Sequence, residues 1–210
     1  MDGSLPALGG NPQYVVMSQM IKEAELREYL SESGAFLEGH FLLSSGMHSP
    51  SYVQCAQALK NPFWAGEMGA SLASLWQGAE PEVALSPAMG GLIIGHEAAR
   101  ALGVDFIFTE RENNIMTLRR GFTLKPGARV IIVEDVFTTG KSTLETAAVV
   151  KACGAEVIGA MSVINRMGNK TLPFLSVSLL NLDLTLYQPP DCPLCRSGLP
   201  LIKPGSRKLK

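Results

Sequence analysis

Apolar residues along the chain follow two rhythms. Over 20–33 helix formers dominate and Leu26, Tyr29 and Leu30 share a face, with Gly34 placed to close the helix. Asn61-Pro62 sets a capping side chain before a proline at the first helical position. Trp64, Met68, Leu72, Leu75 and Trp76 follow at helical spacing, which predicts a second helix and puts both tryptophans in the core. Further on, short apolar runs alternate with helical ones: strands over 83–86, 104–109, 130–133 and 157–164, and helices over 90–102 and 142–153, closed by Gly103 and Gly154. Strand–helix–strand units of these lengths predict an α/β fold, a parallel sheet with helices on both faces. Val130 to Val133 is apolar throughout, as a strand buried on both sides must be.

Residues 1–19, with Gly3, Pro6, Gly9, Gly10 and Pro12, hold no period and read as a flexible tail; 20–190 read as one domain and 191–210 as a tail carrying a cysteine pair. The composition agrees with one globular unit: 46% of the 210 residues are hydrophobic and 18% charged, which excludes a disordered chain. Lys plus Arg is 18 against 19 Asp plus Glu, so a nucleic-acid-coating role is not expected. No basic residue precedes Lys22, and no apolar run is long enough for a membrane span, so the expected compartment is the cytoplasm, without a membrane partner. The four cysteines, Cys55, Cys153, Cys192 and Cys195, then read as thiols. Cys192 and Cys195 stand at metal-binding spacing, but a structural zinc needs four ligands and no second pair lies nearby in the sequence; reduced surface thiols without a metal are the expectation. The basic end, Lys203, Arg207, Lys208 and Lys210, reads as solvated.

Parallel sheets bind ligands at the carboxyl ends of their strands, so the chemistry should lie in 86–91, 110–121, 134–143 and 165–168. The third segment carries the strongest signal. Two acids, Glu134 and Asp135, leave a buried strand, and a turn rich in hydroxyls (Thr138, Thr139, Ser142, Thr143) and Gly140 opens a helix whose first amides favour an anion. Gly140-Lys141-Ser142 matches the end of a nucleotide-triphosphate loop, but that pattern's first glycine would fall on Asp135. Carboxylates beside a phosphate cradle suit a phosphorylated sugar, accepting hydrogen bonds from its hydroxyls.

Four apolar residues, two acids, two further residues and Thr-Thr-Gly, ending at Gly140, resemble the phosphoribosyl diphosphate signature of the type I phosphoribosyltransferases. Within that superfamily His-Phe-Leu-Leu-Ser-Ser-Gly-Met-His-Ser over 40–49, Met-Thr-Leu-Arg-Arg-Gly-Phe over 116–122 and Asn165-Arg166 resemble the orotate phosphoribosyltransferases, across roughly 20–188. The resemblance implies the type I fold with a small N-terminal segment over the base and a mobile hairpin loop. It also implies transfer of ribose 5-phosphate from phosphoribosyl diphosphate to orotate, with Mg²⁺, by a homodimer sharing its active sites.

On that resemblance, Glu134 and Asp135 hold the ribose hydroxyls and act catalytically, with Asp135 foremost, because negative charge stabilises the developing oxocarbenium ion. Val136, Phe137, Thr138, Thr139, Gly140, Lys141 and Ser142 surround the 5-phosphate, Ala88, Met89 and Gly90 the diphosphate, and Arg111 also contacts phosphoribosyl diphosphate. Thr138 and Arg166 take orotate, the arginine matching its carboxylate with two parallel hydrogen bonds. Arg119 and Arg120 lie in the mobile loop, with Asn113-Asn114 turning between two short strands. His48 is assigned no proton transfer. Three family lysines are absent, at Ser44, at Gly90 and in the loop near Ile115, where Glu112 and Ile115 stand. Two other readings stay open: a purine-salvage phosphoribosyltransferase, and a non-catalytic phosphoribosyl diphosphate sensor of the same fold.

Overall fold

The computed structural model describes residues 20–43 and 45–204; the tail read over 1–19, the departure at Ser44 and the basic residues Arg207, Lys208 and Lys210 lie outside them. In chain order the elements begin α1 (Glu23–Glu32), β1 (Phe36–Leu42), β2 (His48–Val53), α2 (Cys55–Leu59), α3 (Pro62–Leu75), β3 (Val83–Pro87) and α4 (Gly91–Leu102). They continue β4 (Asp105–Glu112), β5 (Ile115–Leu118), β6 (Arg129–Phe137), α5 (Lys141–Ala152), β7 (Glu156–Asn165), β8 (Ser176–Asn181) and α6 (Pro193–Arg196). Six strands form one sheet in the order β5-β4-β3-β6-β7-β8, parallel except for β5 at the edge.

Burial on both faces explains the unbroken apolar run in β6. Ile131 and Val133 enter the core built with Leu26 of α1, Met68 and Leu72 of α3 and Ile94 of α4. Ile132 points the other way, to Ala147 of α5, and Val130 packs with Leu85 and Val150. Period-two side chains thus feed helices on opposite sides of one sheet. Trp76 is buried and donates from Nε1 to the Ala79 carbonyl (2.9 Å); Trp64 is partly buried and stacks on Tyr29.

Two features position the ligand end. Strand order reverses between β3 and β6, since β4 lies beyond one and β7 beyond the other, so the loops after β3 and β6 part to leave a crevice. And β6 runs four residues past its expected end, because β7 keeps pairing with it through Glu134↔Ser162, Val136↔Ile164 and Phe137↔Asn165. The two acids are strand residues rather than loop residues. Asn113 and Asn114 both take positive φ (50° and 66°) and turn β4 into β5, as their sequence suggests.

The small N-terminal segment expected to cover the base is a separate antiparallel pair, β1 with β2, outside the main sheet. The described part of the C-terminal tail lies along it. Leu42 N donates to Ile202 O and Ile202 N to His40 O (both 2.8 Å), while His48 and Tyr187 exchange a pair of backbone bonds (2.9 and 2.8 Å). Among the described residues no helix is long and apolar enough to cross a membrane.

Asn61 caps α3 as its sequence position predicts, its side-chain oxygen accepting from Phe63 N (3.0 Å) and Trp64 N (3.4 Å). Asn61→Ala should therefore destabilise the protein by about 1 kcal/mol in denaturant unfolding, and Asn61→Asp by much less.

Candidate active site

The pleat of β6 sends its two terminal acids to opposite sides. Glu134 faces α5 and accepts the hydroxyls of Ser142, in a short contact, and Thr143 (3.3 Å). Asp135 faces the loop after β3, its Oδ1 accepting the amide of Val136 (2.9 Å). There the backbone of Gly90 passes so close that a Cβ would stand 2.7 Å from both carboxylate oxygens. Any side chain at position 90 would require Asp135 to move. The family lysine missing at Gly90 is thus part of a local arrangement in which bare backbone lies against the acid.

Burial disfavours the charged form of both acids. Desolvation is the largest influence on Glu134 and, with the neighbouring Asp135 charge adding to it against the Ser142 and Thr143 hydrogen bonds, pushes it up to about 7. Asp135 is also raised, chiefly by desolvation, with the Val136 amide opposing. The pair is poised to accept hydrogen bonds or positive charge.

Beyond Phe137, Thr138 and Thr139 are exposed and Gly140 takes φ +72° at the start of the twelve-residue α5. A Cβ on Gly140 would also meet Leu172 at 3.0 Å, so the turn requires glycine on two counts. The first-turn amides of α5, beginning at Lys141, have no partner within the helix, and Thr139 Oγ1 accepts the Lys141 amide only at 3.4 Å. Val136 and Phe137 belong to the strand, and Phe137 is buried, so only their backbone can serve the cradle. In the loop after β3, the Ala88 amide already donates to Thr109 O (2.7 Å), which removes one of the expected diphosphate donors and leaves Met89 and Gly90 as the outward groups.

Arg166 follows β7 on the same rim, its amide held by Phe137 O (2.8 Å). Its Nε is buried without a hydrogen-bond partner, and among the described residues it forms no salt bridge. Desolvation lowers its pKa, while Cys55 and Tyr52 are close enough for their charges to oppose that shift. Cys55 in turn points its thiol at Asp135 O (3.8 Å). The end of β2 and the start of α2 therefore come up beside Asp135 and Arg166. Tyr52 and Cys55 gave no sequence signal for this, since nothing in their local pattern reveals a contact across the fold.

The other arginines arrive paired. Arg111 forms an ion pair with Glu145 of α5 and donates to Asn114 O (3.0 Å). Arg120 binds both oxygens of Glu110 (3.0 and 3.1 Å) above the Phe108 ring, and Arg119 reaches Glu112 (3.4 Å). The acids that hold them, spread from Glu110 to Glu145, were not anticipated.

The expectation of surface thiols at the C-terminal pair holds for the exposed Cys195 and is corrected for its neighbour. Cys192 is fully buried, and His40 and His48, on the two strands of the hairpin, supply the second pair of donors that sequence spacing lacked.

Comparison with known proteins gives a consistent result. The phosphoribosyl transferase domain family matches residues 70–173. The orotate phosphoribosyltransferase of Thermotoga maritima is 48% identical over 188 residues, covering 88% of this chain and 100% of its own; that of Chlorobium phaeobacteroides is 49% identical, covering 84% and 92%. The crystal structure of orotate phosphoribosyltransferase from Aeropyrum pernix superposes with TM-score 0.63 at 24% identity, over 75% of this chain and 93% of that one. Adenine phosphoribosyltransferase from Thermoanaerobacter pseudethanolicus superposes with TM-score 0.56 at 19% identity, over 63% and 88%. These two likenesses concern the fold alone.

Glu134 links the site to stability. Its carboxyl titrates at about 7 when folded and near 4.5 when unfolded, so the unfolded chain releases this proton first as pH rises. Stability is fully present below about 4.5 and declines up to about 7, by about 3 kcal/mol. Glu134→Gln keeps an acceptor for the two hydroxyls and cannot ionise; its unfolding free energy between pH 4.5 and 7 should lack this decline relative to the parent.

Proposed function

The chain belongs to the orotate phosphoribosyltransferase family, and we propose that it transfers ribose 5-phosphate from phosphoribosyl diphosphate to orotate, giving orotidine 5′-phosphate and diphosphate. The observation that carries the reading is Arg166, a partly buried guanidinium with an unpartnered nitrogen, on the same rim as an acid pair and an anion cradle. A purine has no carboxylate to meet that guanidinium, which disfavours purine salvage. A sensor without turnover has no comparable support.

In this reading the amides and hydroxyls from Thr138 to Ser142 hold the 5-phosphate, and the outward backbone of Met89 and Gly90 faces the diphosphate. Glu134 is already engaged by Ser142 and Thr143, so Asp135 is the more available acceptor for the ribose hydroxyls and the main stabiliser of charge at C1. Orotate lies against Thr138 with its carboxylate on Arg166, aimed at C1 as the bond to diphosphate breaks. Asp135, half-buried and with its ionised form disfavoured, would suit a hard divalent cation such as Mg²⁺ shared with substrate oxygens, whereas Glu134 stays held by Ser142 and Thr143. When bound, Mg²⁺ supplies positive charge to the diphosphate as it departs. The β4–β5 hairpin carries Arg119 and Arg120 and acts as a lid that excludes water from the partner subunit's reacting centre. The thiols, none of them in a disulfide, accord with a cytoplasmic setting.

Phosphoribosyl diphosphate, Mg²⁺ and protein should deplete orotate absorbance; turnover of adenine in place of orotate would overturn the assignment. Removing an ionic hydrogen-bond partner costs about 1.5–3 kcal/mol, so Arg166→Ala should raise KM for orotate about 10- to 100-fold, with little recovery in Arg166→Lys. Asp135→Asn should chiefly lower kcat. A shared site makes a further demand: inactive Asp135→Asn subunits mixed with Arg119→Ala/Arg120→Ala subunits should regain turnover, and mixtures that stay inactive would remove the dimeric lid.

A further inference from the structure

A second cluster of chemically active side chains lies away from the acid pair. His40 of β1, His48 of β2, and Cys192 and Cys195 at the start of α6 bring four donor atoms within 4.8 Å of one another. The backbone accounts for the meeting. Leu42 pairs with His48, and the register shift between Glu38 and Phe41 falls at His40, whose ring lies against that of His48 with centroids 4.8 Å apart. The Cys-x-x-Cys spacing places both sulfurs on one turn, and the bonds from Tyr187 and Ile202 to the hairpin lay that turn against it.

The distances describe a coordination shell. His40 Nε2 lies 2.9 Å from His48 Nδ1, 3.5 Å from Cys192 Sγ and 3.7 Å from Cys195 Sγ; His48 Nδ1 lies 3.3 Å from Cys195 Sγ. A tetrahedron built on ordinary zinc–nitrogen and zinc–sulfur bonds has edges of about 3.3 Å between nitrogens and about 3.6 Å between nitrogen and sulfur, so the observed separations agree to within about 0.4 Å. The other nitrogen of His40 sits 2.8 Å from Leu199 O. A proton held there by the carbonyl leaves Nε2 bare and facing the centre, the arrangement by which outer carbonyls orient metal-binding histidines. His40, His48 and Cys192 are buried, which shields a centre of this kind from solvent.

We propose that His40, His48, Cys192 and Cys195 form a structural zinc site that clamps the β1–β2 hairpin to the C-terminal segment. Two thiolates and two imidazoles in tetrahedral array select zinc among the common divalent metals, and four protein ligands leave no open position for catalysis. Binding releases the two thiol protons to solvent. The fold has a use for the ion: a two-stranded hairpin outside the main sheet is marginal by itself, and this one must hold Tyr52 and the adjoining Cys55 over Arg166. The ion is distinct from the Mg²⁺ of the proposed reaction, and the inference does not rest on that reaction.

The test is metal analysis of the untagged full chain, purified without chelator. One zinc per chain is expected, with an X-ray absorption spectrum fitting two sulfur and two nitrogen ligands. Exchange for Co²⁺ should give intense tetrahedral bands and a thiolate-to-cobalt charge-transfer band. Cys195→Ser, at the exposed ligand, should weaken zinc retention about 10- to 100-fold and lower Tm, whereas Cys153→Ser should keep the metal. Should Cys195→Ser fail to fold, the parent's metal content and absorption spectrum still decide. Stoichiometric iron would overturn the zinc assignment. A metal-free native protein whose thiols react freely and whose Tm ignores added Zn²⁺ would overturn the site.

Discussion

The cleft depends on how far β6 stays hydrogen-bonded to β7. Were the ladder to end at Val133, Glu134 and Asp135 would be loop acids free to point at solvent. Because pairing continues to Phe137, the pleat fixes one acid toward α5 and the other toward the loop after β3. The same ladder holds Arg166, whose amide closes on Phe137 O. Carboxylates, cradle and guanidinium are therefore carried by one rigid element and its neighbour. The reversal of strand order beside β3 opens the space in front of them.

This arrangement resolves an apparent conflict between a formal net charge of −1 and a highly anionic ligand. Uncompensated cations are scarce at the rim: Arg111, Arg119 and Arg120 each face an acid, and the Lys141 ammonium lies 3.9 Å from Glu145. On the proposed function, what remains for phosphate is backbone, at the start of α5 and beside Gly90, while Arg166, whose side chain has no hydrogen-bond partner among the described residues, is left for the carboxylate of the base. Amides carry no formal charge, so they do not register in composition, yet at a helix start they favour anions. The closeness of Gly90 to Asp135 shows the same economy, for a side chain there would displace the acid. In the proposed lid, Arg119 and Arg120 would exchange Glu112 and Glu110 for substrate oxygens.

The sequence was informative where function and fold use local patterns. Asn61 and Pro62 announce α3, Asn113 and Asn114 the β4–β5 turn, and the string from Val130 to Gly140 both a central strand and an anion site. It was silent where structure comes from distant pairing. Phe36–Leu42 contains Gly39 and a register shift, and His48–Val53 begins His-Ser-Pro-Ser, so neither alternates as a free-standing strand would; they exist because they pair with each other and with the chain near Tyr187 and Ile202. β8 likewise depends on β7. Cysteine spacing showed half of a ligand set, and the other half lies some 150 residues earlier, His40 preceding Cys192 by 152. Burial of Cys192 and the Arg111–Glu145 pair follow from the same long-range closure, whereas Arg119 and Arg120 meet Glu112 and Glu110 across a single hairpin.

Two kinds of support therefore hold the site. The acids and the cradle rest on the six-stranded sheet, whose residues are buried on both faces and whose geometry is set by many backbone bonds at once. The residues that come down over Arg166 rest on a hairpin with two strands and little core of its own. On the proposed function, a wall that must both admit a base and then define its position cannot belong to the central sheet, which has no freedom to open. It can be built as a small separate layer, provided something fixes its far end while its near end, at Tyr52, stays next to the cleft. The backbone clasp by Tyr187 and Ile202 is at that far end, and so are the two histidines and two cysteines. Placing a strong cross-link there stiffens the layer where rigidity does not interfere with substrate entry.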